Sequence, residues 1–238
     1  MAVVDTLVIV PARGGSLRLP KKNVRRLAGF SLLEWTFDCA QKAGFDRVML
    51  STDDEEIAAE ASAIGYWVPF RRPAQLAEST TPTVPALLHA LDWYRTQKGR
   101  DPDVVVLLQA TSPFRPPELI KQALSRLDED ADIDGVLAVT KLHVPLGAVY
   151  RDDEGRLKRA LDGSVDAAVY VPSGAVYVTR TAALRSEQTV VPKRCAWVLH
   201  GGVSAIDIDT PEDWALAEAI VASRLVSPPT VARKAFNA

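Results

Sequence analysis

A chain of 238 residues with 47% apolar side chains has enough material for one sizeable core, and 28 basic against 30 acidic side chains leave a net charge of only -2. That balance argues against nucleic-acid binding as the main role, and no apolar run approaches bilayer length, so neither a nucleic acid nor a membrane is an expected partner. The two cysteines, Cys39 and Cys195, sit far apart in apolar contexts with no CxxC or metal-ligand spacing, which leads us to expect free thiols in a reducing compartment, the cytoplasm.

Residues 6–10 form an apolar, β-branched run that reads as a strand. It closes in the loop Arg13-Gly14-Gly15-Ser16-Leu17-Arg18-Leu19-Pro20-Lys21-Lys22-Asn23, and residues 13–26 hold six basic side chains and no acid. The basicity is therefore local. A buried strand ending in a basic, glycine-containing loop delivers backbone amides and cations to a phosphate at the carboxyl edge of a parallel sheet. Gly14 and Gly15 let the backbone approach the anion, Ser16 offers a hydroxyl, and Arg13, Arg18 and Lys22 offer charge-assisted bonds. A solvated basic turn is the alternative, since neither Gly-x-Gly-x-x-Gly nor a P-loop ending in Gly-Lys-Ser/Thr is present; position after a buried strand favours phosphate.

Ser31-Leu32-Leu33-Glu34 reads as a capping box, followed by Leu33, Phe37 and Ala40 at helical spacing and a stop at Gly44. Val48–Ser51 reads as a second buried strand, and Asp53 with Glu56 opens a helix that ends at Gly65, with Asp53 as its cap. Pro69-Phe70-Arg71-Arg72-Pro73 and residues 77–83 form a loop, after which Thr83 offers an N-cap to a helix carrying Val84, Leu87, Leu88 and Leu91. Val104–Leu108 is the most apolar short run and reads as a central parallel strand covered on both faces. Pro116 and Pro117 then start a helix with Ile120, Ala123, Leu124 and Leu127 inward. Residues 135–140 suit another strand, beyond which the pattern is irregular through Asp152, Asp153, Gly155 and Gly163.

Residues 203–209 read as the close of a strand, and Thr210-Pro211-Glu212-Asp213 starts a helix with Trp214, Ala217, Ile220 and Val221 on one face. Asp207 and Asp209, two apart on extended chain, turn both carboxylates to one side, which suits a hard oxygen-seeking cation such as Mg²⁺; Asp209 equally suits the helix N-terminus on electrostatic grounds. His89, His143 and His200 have no spacing for a metal site or a triad. The whole reads as one domain over residues 1–225 with a loose tail over 226–238.

The basic loop resembles the signature of the acylneuraminate cytidylyltransferases (CMP-sialic acid synthetases), Pro-Ala-Arg-x-x-Ser-Lys-x-x-Pro-x-Lys-Asn, with Pro11, Ala12, Arg13, Ser16, Pro20, Lys22 and Asn23 in register. Leu17 stands where that family has lysine, and Arg18 follows it as in the Ser-Thr-Arg-Leu-Pro version of the related KDO cytidylyltransferases. Gln109-Ala110-Thr111-Ser112-Pro113-Phe114-Arg115 resembles the family's Leu-Gln-Pro-Thr-Ser-Pro-Leu-Arg, Asp207-Ile208-Asp209 its Asp-Ile-Asp, and Gly174-Ala175-Val176-Tyr177 the end of its Asn-Gly-Ala-Ile-Tyr. The arginine-rich lead-in to that last motif is replaced by residues 165–171, the largest departure in the chain.

The resemblance implies an α/β, Rossmann-like nucleotide-diphospho-sugar transferase fold, a mostly parallel sheet flanked by helices. It also implies a homodimer, here with a reduced dimerisation arm around residues 141–173. The implied reaction joins CTP to a 2-keto sugar acid, giving a CMP-sugar and pyrophosphate. Arg13, Ser16, Arg18 and Lys22 would hold phosphates, with Arg13, Lys22, Asp207 and Asp209 carrying the catalytic charge; Asn23, Arg72 and Thr83 would surround the cytidine, and Gln109 would orient the sugar. Asp207 and Asp209 would hold Mg²⁺. Lys141 and Arg159 are the local cations left for the acceptor carboxylate. A KDO-type cytidylyltransferase is the second reading; a catalytically silent nucleotide-binding regulator, motivated by Leu17 and the missing arginines, is the alternative from another class.

Overall fold

The computed structural model describes residues 4–142, 148–159 and 168–230. Alternating strand and helix patterns fold as the βαβ rhythm demands, because each apolar strand needs a cover on both faces. Strand β1 (Thr6–Pro11) is followed by two two-residue strands, β2 (Arg26–Leu27) and β3 (Phe30–Ser31), and helix α1 (Leu32–Lys42). Then come β4 (Val48–Ser51), α2 (Glu55–Ile64), α3 (Thr83–Lys98), β5 (Val104–Leu108), α4 (Pro117–Asp128) and β6 (Gly135–Lys141). A hairpin of β7 (Tyr150–Asp153) and β8 (Arg156–Arg159) precedes β9 (Tyr170–Arg180), α5 (Thr181–Glu187), β10 (Cys195–Leu199) and α6 (Pro211–Ala222).

Six strands form the central sheet in the order β10-β6-β9-β5-β1-β4. β1 runs parallel to β4 and β5, β10 runs parallel to β6, and β9 is antiparallel to both of its neighbours. Successive side chains alternate faces, so β1 sends Val8 and Val10 into a core with α1, α2, α4 and α6, and Leu7 and Ile9 into a second core under α3. All five residues of β5 are buried, as expected for a strand covered on both sides. The parallel strands end at one edge of the sheet, where the loops from β1, β4 and β5 gather.

Local chemistry explains most boundaries. The Ser31 hydroxyl accepts from Glu34 N–H and the Glu34 carboxylate accepts from Ser31 N–H, so the expected capping box is present. Pro117 opens α4 at its first position. Four expectations are corrected. The cap of α2 is Asp54, whose carboxylate accepts from Ile57 N–H at 2.9 Å, and Asp53 is left for other work. Thr83 is the first residue of α3 and makes no cap bond, because Pro82 occupies the cap position. Residues 203–209 are not a strand: Gly202–Ala205 is a 3-10 turn and the sheet is completed by β10, which lies upstream. Within the expected loose tail, Val226 packs on the main core, and Thr230 donates to Asp38 through its N–H and hydroxyl.

The irregular region contains a hairpin whose turn residues, Glu154 (φ 54°) and Gly155 (φ 80°), are both left-handed. His143 and residues 160–167, which include the first three residues of the altered lead-in, lie outside the described residues, while its last two, Tyr170 and Val171, open β9. Among the described residues no helix is long and apolar enough to cross a membrane, and both cysteines are free.

Candidate active site

The basic loop leaves β1 and folds back over the ends of β4 and β5. Gly14 N–H donates to Asp53 Oδ1 at 3.2 Å, and a Cβ at Gly14 would collide with the Asp54 carboxylate that caps α2. Only glycine lets the loop lie this close to the helix start. A tight turn follows, with Ser16 N–H on Gly14 O at 2.9 Å, and buried Asn23 donates to Arg13 O at 3.1 Å. Asn23 therefore braces the loop as well as facing the site.

A cavity of about 310 Å³ opens above the sheet edge, walled by Arg13, Ser16, Lys22 and Asn23 from the loop, by Arg72 and Thr83, and by Gln109 at the end of β5. Seven sequence-predicted site residues thus meet around one space. Arg13 also donates to Glu78 O at 2.8 Å, tying the loop to the segment before α3. Of the remaining predicted residues, Gly14 lies behind the loop against α2, and exposed Gly15 has open space where a side chain would start. Arg18 is exposed and points at Asp209.

Asp207 and Asp209 flank Ile208, which is fully buried and donates its N–H to Thr111 O at 2.7 Å. No strand is present at Asp207 and Asp209, so the pairing rests on their lying on either side of this one buried residue. Lys22 Nζ lies 2.6 Å from Asp209 Oδ1, and Arg18 pairs with the other oxygen. Burial alone would raise the Asp209 carboxyl, but the bond from Lys22 and the charges of Lys22 and Arg18 hold it below its ordinary range. Asp207 behaves oppositely. Burial of its carboxylate and the charge of Asp209 outweigh a bond from Thr111 and raise its pKa, and the Ser112 hydroxyl donates to it at 3.5 Å.

Three functional side chains escaped the sequence reading. Asp53 Oδ1 accepts from Gly14 N–H and lies 3.4 Å from Arg72 Nη2, so a single oxygen ties the basic loop to the arginine across the cavity. Arg72 is buried, with its N–H on Thr52 O at 2.8 Å and its Nε lacking a hydrogen-bond partner. Burial lowers its pKa despite Asp53. Arg115 is buried beneath the site and donates to Ser112 O at 3.1 Å, to Ala175 O at 2.8 Å and to Gln109 O. It fixes the backbone on which Gln109 stands. Glu78 enters the wall through a loop that carries no periodic signal.

The arrangement gathers Arg13, Lys22 and Arg72 round a cavity with Arg18 at its rim, which suits a polyanion approached by backbone amides. The described residues contain no preformed cluster of three or more metal-binding side chains, but Asp207 and Asp209 supply oxygen donors side by side.

Comparison with known proteins adds independent weight. The CMP-N,N'-diacetyllegionaminic acid synthase of Legionella pneumophila is 33% identical over 226 residues, covering 90% of this chain and 95% of its own. The pseudaminic acid cytidylyltransferase of Campylobacter jejuni is 30% identical over 223 residues, covering 89% of this chain and 94% of its own. Among solved structures, a CMP:2-keto-3-deoxy-manno-octonic acid synthetase complexed with CTP superposes with a TM-score of 0.69 at 17% identity, over 92% of this chain and 99% of its own. The 4-diphosphocytidyl-2C-methyl-D-erythritol synthase of Anaerococcus prevotii gives 0.62 at 18% identity, over 92% of this chain and 98% of its own, and the two establish a shared Rossmann-like fold. A family model described as cytidylyltransferase matches residues 7–199, a span that holds the basic loop, Arg72, Gln109 and the whole sheet, and the chain is therefore a nucleotidyltransferase that belongs to the cytidylyltransferase family.

Proposed function

We propose that this enzyme activates a nonulosonic acid, a nine-carbon 2-keto sugar acid, with CTP, giving a CMP-sugar and pyrophosphate. The observation that carries the reading is the convergence of Arg13, Ser16, Lys22, Asn23, Arg72, Thr83 and Gln109 on one cavity at the carboxyl edge of the sheet. The triphosphate lies along the basic loop, the cytosine against Asn23, Arg72 and Thr83, and the sugar beside Gln109. The anomeric hydroxyl of the sugar then attacks the α-phosphorus while the bond to pyrophosphate breaks. The chain's contribution is positioning and charge neutralisation.

Asp207 and Asp209 fit a bound Mg²⁺, because they offer hard oxygen donors on either side of buried Ile208 and lie close enough for the charge of one to bear on the other. Mg²⁺ bound there would neutralise charge building on the pyrophosphate. Lys22 and Arg18 both pair with Asp209, and a triphosphate that drew these cations towards itself would free the Asp209 carboxylate for the metal. The setting we propose is the cytoplasm, with the enzyme as a homodimer, and a KDO-type acid is the runner-up acceptor. Calorimetry with CTP, UTP, ATP and GTP in the presence of Mg²⁺ tests the nucleotide half: CTP binds at least about tenfold tighter than the others if the base is read in this cavity, and equal affinities overturn it.

A further inference from the structure

Strand β9 departs from regular pairing at the point nearest Gln109. On β6 the partner of Leu137 is Tyr177, but that of Val139 is Pro172, so the chain between Pro172 and Tyr177 bulges out of the sheet. Gly174 sits in the bulge with φ of 78°, and a Cβ there would stand 2.7 Å from Gln109 Oε1. The bulge is thus the surface on which the Gln109 amide rests, and both the left-handed backbone and the close approach require glycine.

A bulge leaves backbone groups without ladder partners, and here side chains satisfy them. Ser173 Oγ donates to Ala138 O at 3.1 Å and accepts from Ala175 N–H at 3.4 Å, while Arg115 holds Ala175 O. His200 Nε2 lies 2.6 Å from the same Ser173 oxygen. With the Ser173 hydroxyl donated to Ala138 O, the tautomer that carries its proton on His200 Nε2 completes this contact. The other ring nitrogen stands 3.3 Å from Ser204 Oγ, and the His200 N–H bonds Val139 O at 3.0 Å, so the ring is fixed at the end of β10. Burial, then the Arg115 charge, lowers the pKa of His200, in keeping with a neutral imidazole acting as donor.

We propose that His200, through Ser173, is a positioning residue that holds the Gly174 bulge against Gln109 and so sets the acceptor side of the site, leaving the nucleotide side untouched. This rests on the reading of Gln109 as the residue that orients the sugar acid. Among the described residues, the basic loop and Arg72 make no hydrogen bond to His200, Ser173 or Gly174, so the two halves of the site are separable.

The test is steady-state kinetics of wild type, His200→Ala, His200→Gln and Ser173→Ala with CTP and N,N'-diacetyllegionaminic acid each varied, alongside calorimetry of CTP. Loss of the bond to Ser173 raises the acceptor KM roughly three- to tenfold in His200→Ala and Ser173→Ala, with the Kd for CTP changed less than about twofold. His200→Gln, whose amide N–H reaches the position of Nε2, restores the acceptor KM. An unchanged acceptor KM in both truncations, or a parallel rise in the Kd for CTP, overturns the inference. Should His200→Ala fail to fold, Ser173→Ala and His200→Gln decide the matter by the same two readouts. Wild-type protein that turns over no sugar acid overturns the functional reading and this inference together, whereas active wild type with insensitive variants overturns the inference alone.

Discussion

At the scale of single residues, the site depends on charges that are already partnered. Arg13 donates to Glu78 O and faces the cavity, so Arg13→Ala removes a phosphate donor and releases the segment before α3. Charge-assisted bonds to a partly desolvated phosphate are worth about 1.5–3 kcal/mol, and the Kd for CTP measured by calorimetry therefore rises roughly 10- to 150-fold; an unchanged value removes the loop from the phosphate site. Asp53→Ala leaves Arg72 without its acid and Gly14 without its acceptor. Its effect appears as weaker CTP binding with little change in the thermal transition, and Asp53→Asn, which keeps an acceptor for Gly14, is milder; a large loss of stability with intact CTP binding assigns Asp53 to the fold. Asp207→Asn and Asp209→Asn fold normally and lose most turnover. Retention of activity in both, with an unaltered Mg²⁺ optimum, refutes the metal assignment. Asp53 illustrates what the sequence hides: two adjacent acids, Asp53 and Asp54, are equal candidates for one cap, and the one-residue register that makes Asp54 the cap frees Asp53 for Arg72.

At the scale of elements, the helices and the fully buried strands were legible because period and caps are local. The Ser31 box, the proline start of α4 and the uniformly apolar β5 could each be read directly from sequence. What escaped depends on partners far along the chain. β9 carries Ser173 and Gly174 in a bulge that follows Pro172, and β10 is an edge strand whose Trp197 and Leu199 stay half exposed, so neither has a clean alternation. The hairpin of β7 and β8 turns on Glu154 and Gly155, of which only the glycine signals a turn. Arg115 shows the same limit for the site. Its place in the Ser-Pro-Phe-Arg run drew attention to Gln109, but its work is to hold three carbonyls from two elements. Arg115→Met removes the arginine donor from buried Ser112 O and Ala175 O, while Gln109 O keeps the Ser112 N–H, at a cost of about 1–3 kcal/mol for each of the two. We expect a loss of at least about 2 kcal/mol, which in a chain of this length lowers Tm by roughly 4–8 °C. A variant with wild-type Tm and impaired acceptor use shows instead that the arginine serves the site and not the fold.

For the whole molecule, two apolar cores clamp the sheet from both faces, and the loops at its carboxyl edge carry the variable chemistry. The architecture shared with the solved relatives follows from the first fact. Residues 165–171 are where this chain departs most from the motifs it resembles, while Arg13, Arg72 and Gln109 line one cavity. The most direct measurement is mass-spectrometric detection of product when the purified enzyme is incubated with CTP, Mg²⁺ and, separately, N,N'-diacetyllegionaminic acid, pseudaminic acid, sialic acid and a KDO-type acid. Formation of a CMP-sugar with at least one nine-carbon acid, abolished by EDTA and by Asp207→Asn, is the predicted result; tight CTP binding with no CMP-sugar from any of the four acids contradicts the account.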